Sequence, residues 1–130
     1  MHKVAWMVLW LMAIGCAKED IPDTVEGRLL GAWKITSVSG GFSGQGYIPA
    51  FSVLYFVDAS HYQLLEAKAI LGRGTYEVYT EDGEKWVRFT ADIAPTQLFE
   101  SAVKQIRVDA SSLQLSDPCC DQYVYQFVRQ

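Results

Sequence analysis

Thr75-Tyr76-Glu77-Val78-Tyr79-Thr80-Glu81-Asp82-Gly83-Glu84-Lys85-Trp86-Val87-Arg88-Phe89-Thr90 is the stretch on which the fold turns. Tyr76 and Val78 on one side, and Val87 and Phe89 on the other, recur at every second position, which is the period of a strand with a buried face. Between them Asp82-Gly83 supplies two residues that accept positive φ, as a tight two-residue hairpin turn requires. The segment therefore predicts an antiparallel hairpin with strands over 73–80 and 84–90.

The same texture continues in both directions. Further strands are expected near 32–39, 51–57, 61–66, 97–101, 103–109, 113–115 and 123–129, separated by polar turns such as Asp58-Ala59-Ser60 and Asp109-Ala110-Ser111-Ser112. No helix longer than a turn or two is required, and Thr24 ahead of Glu26 and Leu29-Leu30 can cap a single turn. Phe51, Val53 and Tyr55 alternate with Leu54 and Phe56, while Tyr123, Tyr125 and Phe127 alternate with Val124 and Val128. Both faces of those strands are apolar, so both need cover. An all-β fold follows, a single small antiparallel up-and-down β-barrel of about eight strands over 29–130. Trp33, Ile35, Val53, Tyr55, Tyr76, Val78, Val87, Phe89, Ile106, Val108, Tyr123, Tyr125 and Phe127 are placed inside it. Bulky rings can fill such a barrel, or their hydroxyls can orient a guest, and the two outcomes stay open.

Ahead of the barrel the chain reads differently. His2 and Lys3 precede an unbroken apolar run of eleven residues from Val4 to Ile14. As a helix that run spans roughly 16 Å, well short of the ~30 Å hydrocarbon core of a bilayer. It reads as the apolar part of a signal peptide over 1–15, with a polar tether over 16–28. Ala13-Ile14-Gly15-Cys16 resembles the lipobox of bacterial lipoproteins, although Ala13 stands where Leu is usual. The resemblance implies lipidation of Cys16 with palmitate-type acyl chains, and hence a membrane partner through that anchor. Each buried methylene contributes on the order of 0.8 kcal/mol, so several chains hold the domain in place. Cys16-Ala17-Lys18-Glu19-Asp20 is similar to the surface-export signal of Bacteroidetes lipoproteins, but a plain polar tether carries such charges equally. An outer-membrane location in the cell envelope is expected, with surface exposure left open.

Leu30-Gly31-Ala32-Trp33-Lys34-Ile35 resembles the opening of a lipocalin, whose first strand carries Gly-x-Trp. In that family an Arg near the end of the last strand lies across the Trp, and Arg129 stands at the matching place. The whole set of Cys16, Gly31 to Lys34, Gly40 to Gly46, Asp58 to Tyr62 and Cys120 to Arg129 resembles the lipocalin-like lipoproteins of the Bacteroidetes. Gln122 departs from the Gly often found in the final turn. The resemblance implies a barrel closed at its floor by Trp33 and Arg129, and a binding role for a small hydrophobic or amphipathic ligand. A filled barrel would instead present its loops to an envelope or surface partner.

Gly40-Gly41-Phe42-Ser43-Gly44-Gln45-Gly46 is as glycine-dense as a phosphate loop, yet neither Gly-Lys-Ser/Thr nor a helix follows it. It is either a lid with Phe42 and Tyr47 as ligand contacts or a plain connection. The phenols of Tyr55, Tyr76 and Tyr125 are the other ligand-binding candidates.

Cys119-Cys120 is open to three readings: a vicinal disulfide, free thiols, or a metal or redox role. Adjacent Cα atoms lie about 3.8 Å apart against the usual 4.4–6.8 Å of a disulfide, so a bond between them would be strained. With only His61 to join them, no metal site is expected, and no cofactor. His61 has no Gly-x-Ser-x-Gly partner and reads as a surface residue, while the acidic residues are spread through turns. No enzymatic activity is therefore expected. A net charge of −4 without a Lys/Arg stripe argues against nucleic acid, and the chain is expected to be a monomer.

Overall fold

A computed structural model describes residues 24–41, 43–92, 102–118 and 122–130. The signal peptide, Cys16, the first part of the tether, Phe42, the strand expected at 97–101, and Cys119 and Cys120 lie outside the described residues.

Thr24 caps a short helix, α1 (Val25–Leu29), its hydroxyl accepting a hydrogen bond from the Gly27 amide at 3.1 Å. This satisfies one of the amides that every helix start leaves without a partner. Eight strands follow: β1 (Gly31–Gly40), β2 (Val53–Phe56), β3 (His61–Glu66), β4 (Ala69–Glu81), β5 (Glu84–Ala91), β6 (Val103–Val108), β7 (Ser112–Ser116) and β8 (Tyr123–Arg129). Each pairs antiparallel with its neighbours in sequence, and β8 returns to β1, so the sheet closes into an up-and-down barrel. The decisive hairpin forms as read, with Glu81 opposite Glu84 and both Asp82 and Gly83 at positive φ, 52° and 77°.

Up-and-down order sends alternate connections to opposite ends. Helix α1 and the turns at 57–60, 82–83 and 109–111 gather at one end, here called the helix pole. The far ends of β1, β3 and β7, with the turn at 67–68 and the described residues 43–52, gather at the far rim.

Around the helix pole and the middle of the barrel the inward side chains form a buried core. Trp33, Leu54, Phe56, Tyr62, Leu64, Tyr76, Val87, Phe89, Leu113 and Phe127 are all buried in one cluster. Phe56 packs edge-on to Tyr76 at 4.8 Å between centroids, and Tyr62 edge-on to Phe89 at 4.9 Å, the arrangement that ring quadrupoles prefer.

One part of the expected interior needs correction. Val53 and Tyr55 point outward, and Leu54 and Phe56 take the inner face of β2. The register decides it: Leu54 lies opposite Trp33 and Tyr55 opposite Ala32, so Leu54 shares the inner face with the indole. Since β2 is apolar on both faces, its period alone could not choose the side.

On the β8 side, β1 carries an irregularity between Ile35 and Ser37. On the β2 side its last link is Ile35 N–H donating to the Ser52 carbonyl at 2.9 Å. Above that point the chain from 43 to 52 runs along the rim as a strap.

Candidate ligand site at the far rim

Closure of the helix pole frees the rim for another use. At the helix pole the Trp33 indole N–H donates to the Leu29 carbonyl at 2.8 Å, and the Arg129 guanidinium lies 4.2 Å over the Trp33 ring. The same guanidinium donates to the carbonyls of Ala110 at 2.9 Å, Leu30 at 2.8 Å and Arg28, tying α1 and the β6–β7 turn to β8. The expected pair thus meets where the last strand passes α1.

At the far rim the strap is fastened by backbone and then by phenols. Gly46 N–H donates to the Gly40 carbonyl at 2.9 Å, and a Cβ at Gly46 would stand 1.9 Å from the Val38 oxygen, so only glycine lets the strap approach β1 here. Tyr47 follows and turns inward. Its ring meets Tyr123 edge-on at 4.9 Å and Tyr125 at 6.0 Å, and its hydroxyl lies 2.6 Å from that of Tyr125. Between the strap and the upper half of β1 runs a groove of about 810 Å³, walled by Ile35, Val38, Tyr47, Ile48, Pro49 and Phe51, with Glu66 at its edge.

Below Tyr125 lies a feature absent from the expected site. Lys104 is fully buried inside the barrel, its ammonium 4.8 Å over the Tyr125 ring and paired with the Asp117 carboxylate. Asp117 is itself held at the end of β7, donating its amide to the Tyr123 carbonyl at 3.0 Å and accepting the Tyr123 amide at 3.4 Å. Desolvating two charges costs several kcal/mol each, which their attraction repays only in good geometry. The period of β6 could have found it, because Lys104 precedes the inward Ile106 by two residues.

The four described tyrosine candidates separate in space. Tyr47 and Tyr125 come together at the rim. Tyr76 belongs to the helix pole, where its hydroxyl donates to the Asp58 carbonyl at 2.6 Å and burial, with help from Asp58 and Glu26, pushes its pKa up to about 12. Tyr55, corrected above, lines an outer hollow of about 410 Å³ with Val53, Leu65 and Lys68. Phe42 is outside the described residues.

Ser60, His61 and Asp58 meet on the surface but are not wired for nucleophilic attack. Both the Asp58 carboxylate, at 2.9 Å, and the Ser60 hydroxyl, at 3.1 Å, contact the same imidazole nitrogen, Nδ1. A relay needs the acid on one nitrogen and the hydroxyl on the other. The Ser60 amide and then the His61 side chain hold the Asp58 pKa down at about 2, as expected of a well-bonded turn cap. Among the described residues no group of three or more His, Cys, Asp or Glu side chains is placed to hold a metal ion.

No protein family, curated protein or solved structure matches the chain.

Proposed function

We propose that this protein is a lipocalin-like lipoprotein of the cell envelope, anchored in the outer membrane through lipid on Cys16, that binds a small hydrophobic or amphipathic molecule at the far rim of its barrel. The observation that carries the reading is the strap crossing the rim. It leaves an 810 Å³ groove walled by Ile35, Val38, Tyr47, Ile48, Pro49 and Phe51 with Ser37, Gln45 and Glu66 among its polar groups, and Tyr47 on that wall pairs its hydroxyl with that of Tyr125. Apolar concavity with a few converging polar groups is the usual make-up of a small-molecule site. Aromatic filling near the helix pole shifts the site upward from the deep cup that the lipocalin resemblance implies. Binding needs no catalytic residues and no cofactor, and none is proposed.

Native mass spectra of the full chain carrying Cys16→Ser, recorded after incubation with a cell lipid extract, test this. A reproducible bound mass that disappears when Tyr47 is replaced by Ala supports the site. A bare chain at every lipid concentration rejects it. In that case the second reading takes its place, a filled barrel that presents its loops to an envelope protein. Ile48 favours that alternative, standing on the strap with 96% of its surface exposed.

A further inference from the structure

The outer wall of the barrel differs from side to side. Across the middle of β6, β7 and β8 it is polar: the Gln105 amide donates to Glu84 at 2.8 Å and that of Gln126 to Gln114 at 3.0 Å. On the β2 side a row of apolar residues runs instead. Val53 and Tyr55 face outward on β2, Leu65 lies opposite Val53, and Ile70 lies opposite Leu65. Leu30 and Val57 extend the row one step past the Gly31–Phe56 pair. The result is an apolar strip from the helix pole to the far rim, with Leu30, Val57 and Ile70 between 41% and 52% exposed and the hollow of about 410 Å³ partway along it. A contiguous apolar patch of this kind marks a surface that meets an apolar partner.

Two observations say which partner. Leu30, where the strip begins, is the residue that ends α1, and α1 is only five residues long, so the chain arriving from Cys16 joins the barrel at one end of the strip. The Cα steps from Cys16 to Thr24 span at most about 28 Å, so lipid on Cys16 keeps that end close to the bilayer. The second observation is charge. Three exposed cations flank the strip: Lys34 opposite Val53, Lys68 on the wall of the hollow, and Arg73 opposite Gln63. Glu66, beside the same turn as Lys68, lines the strap groove instead. Apolar side chains bordered by long cationic ones suit a surface that rests in a headgroup layer, its charged tips among lipid phosphates.

We propose that the barrel lies on its side on the bilayer that anchors it, with Leu30, Val57, Tyr55, Val53, Leu65 and Ile70 in the headgroup layer and Lys34, Lys68 and Arg73 on lipid phosphates. This rests on the lipid anchor of the reading above. Ser52 lines both the hollow and the strap groove, so docking in this pose sets the groove next to the lipid surface.

The full chain, purified from bacterial membranes and reconstituted into vesicles of phosphatidylethanolamine and phosphatidylglycerol, tests the pose through labelling with an impermeant amine reagent. Lys85 on β5, across the barrel from β1, is the internal reference. Relative to it, Lys34 and Lys68 are expected to react about fivefold more slowly than in a chain carrying Val57→Glu and Ile70→Glu, whose added carboxylates are repelled by the phosphates. Equal ratios in the two chains overturn the docking and leave the anchor standing. Protection that fades when protein per lipid is lowered about tenfold identifies a second copy of the chain as the occupant, and overturns it as well. Tyr55→Trp gives a reading that does not depend on the glutamate variant: brominated acyl chains in the same vesicles should quench the added emission, and unquenched emission overturns the docking. A chain that carries no acyl mass on Cys16 and does not float with the vesicles defeats the anchored reading and this inference together.

Discussion

The Arg129 guanidinium lies 4.2 Å above the Trp33 ring and donates to carbonyls on α1, on the link to β1 and on the β6–β7 turn. One planar group with its donors in a fixed fork thus joins three separate chain segments, a task for which a lysine has the charge but not the geometry. Arg129→Ala is expected to lower stability by about 1–3 kcal/mol, from the cation–π contact and the released carbonyls together. Arg129→Lys should recover less than half of that. Urea unfolding followed by Trp fluorescence measures both, and an Arg129→Ala midpoint equal to that of the parent would refute this account of the pole.

Lys104 and Asp117 should show strong non-additivity. Removing one partner leaves a buried charge without compensation, at about 3–5 kcal/mol. Lys104→Met alone is therefore expected to cost more than Lys104→Met combined with Asp117→Asn. A double-mutant cycle in urea checks it, and additive losses would mean that the two groups do not act as a pair.

The β3–β4 turn carries unrelieved backbone strain. Ala67 and Lys68 both adopt positive φ, 48° and 67°, between Glu66 and Ala69, which face each other across the hairpin. Residues with a Cβ disfavour this region, whereas Asn-Gly suits a turn with both central residues there. Ala67→Asn with Lys68→Gly is expected to stabilise the barrel by about 1–2 kcal/mol. A thermal midpoint that stays put or falls would show that the turn geometry is not costly.

Acid should weaken the protein through its turn caps. Asp58 holds its proton less tightly in the folded chain than in the unfolded one, chiefly because the Ser60 amide and then His61 bond its carboxylate; Asp109 is lowered in the same way by Ser111 and Ser112. A lowered carboxylate contributes stability above its unfolded pKa and loses it as pH falls toward the folded one. The urea midpoint should therefore drop between about pH 4 and pH 2, and less steeply in Asp58→Asn. Tyr76 works at the other extreme. Its raised pKa contributes stability that is full below pH 10 and lost as pH climbs toward 12, so Tyr76→Phe should flatten the alkaline limb.

How far the sequence discloses all this depends on the residue. Asp82-Gly83 between alternating apolar strands announces its hairpin, because turn chemistry is a local signal, whereas the pairing of Trp33 with Arg129 joins the first strand to the last and is expected only from the lipocalin resemblance. Thr24, a local signal like the turn, announces α1. The side of β2 is not legible, since Val53-Leu54-Tyr55-Phe56 offers equally apolar faces and only the pairing of Leu54 with Trp33 decides between them. Lys104 is concealed by its charge: a lysine in a strand suggests solvent, and its partner Asp117 stands thirteen residues on, just past the Gln105–Ser116 pair of the adjacent strand. The length of β4 is hidden in Ala67-Lys68, a turn made by residues that do not normally make it.

The first and last strands are neighbours, and Gln130 donates its amide to Ala32 while Arg129 reaches back to Arg28. The chain therefore enters and leaves the barrel by the same doorway. A fluorescent reporter or affinity handle joined beyond Gln130 would hang from the helix pole, clear of the strap, so tagging there leaves the opposite mouth unshaded.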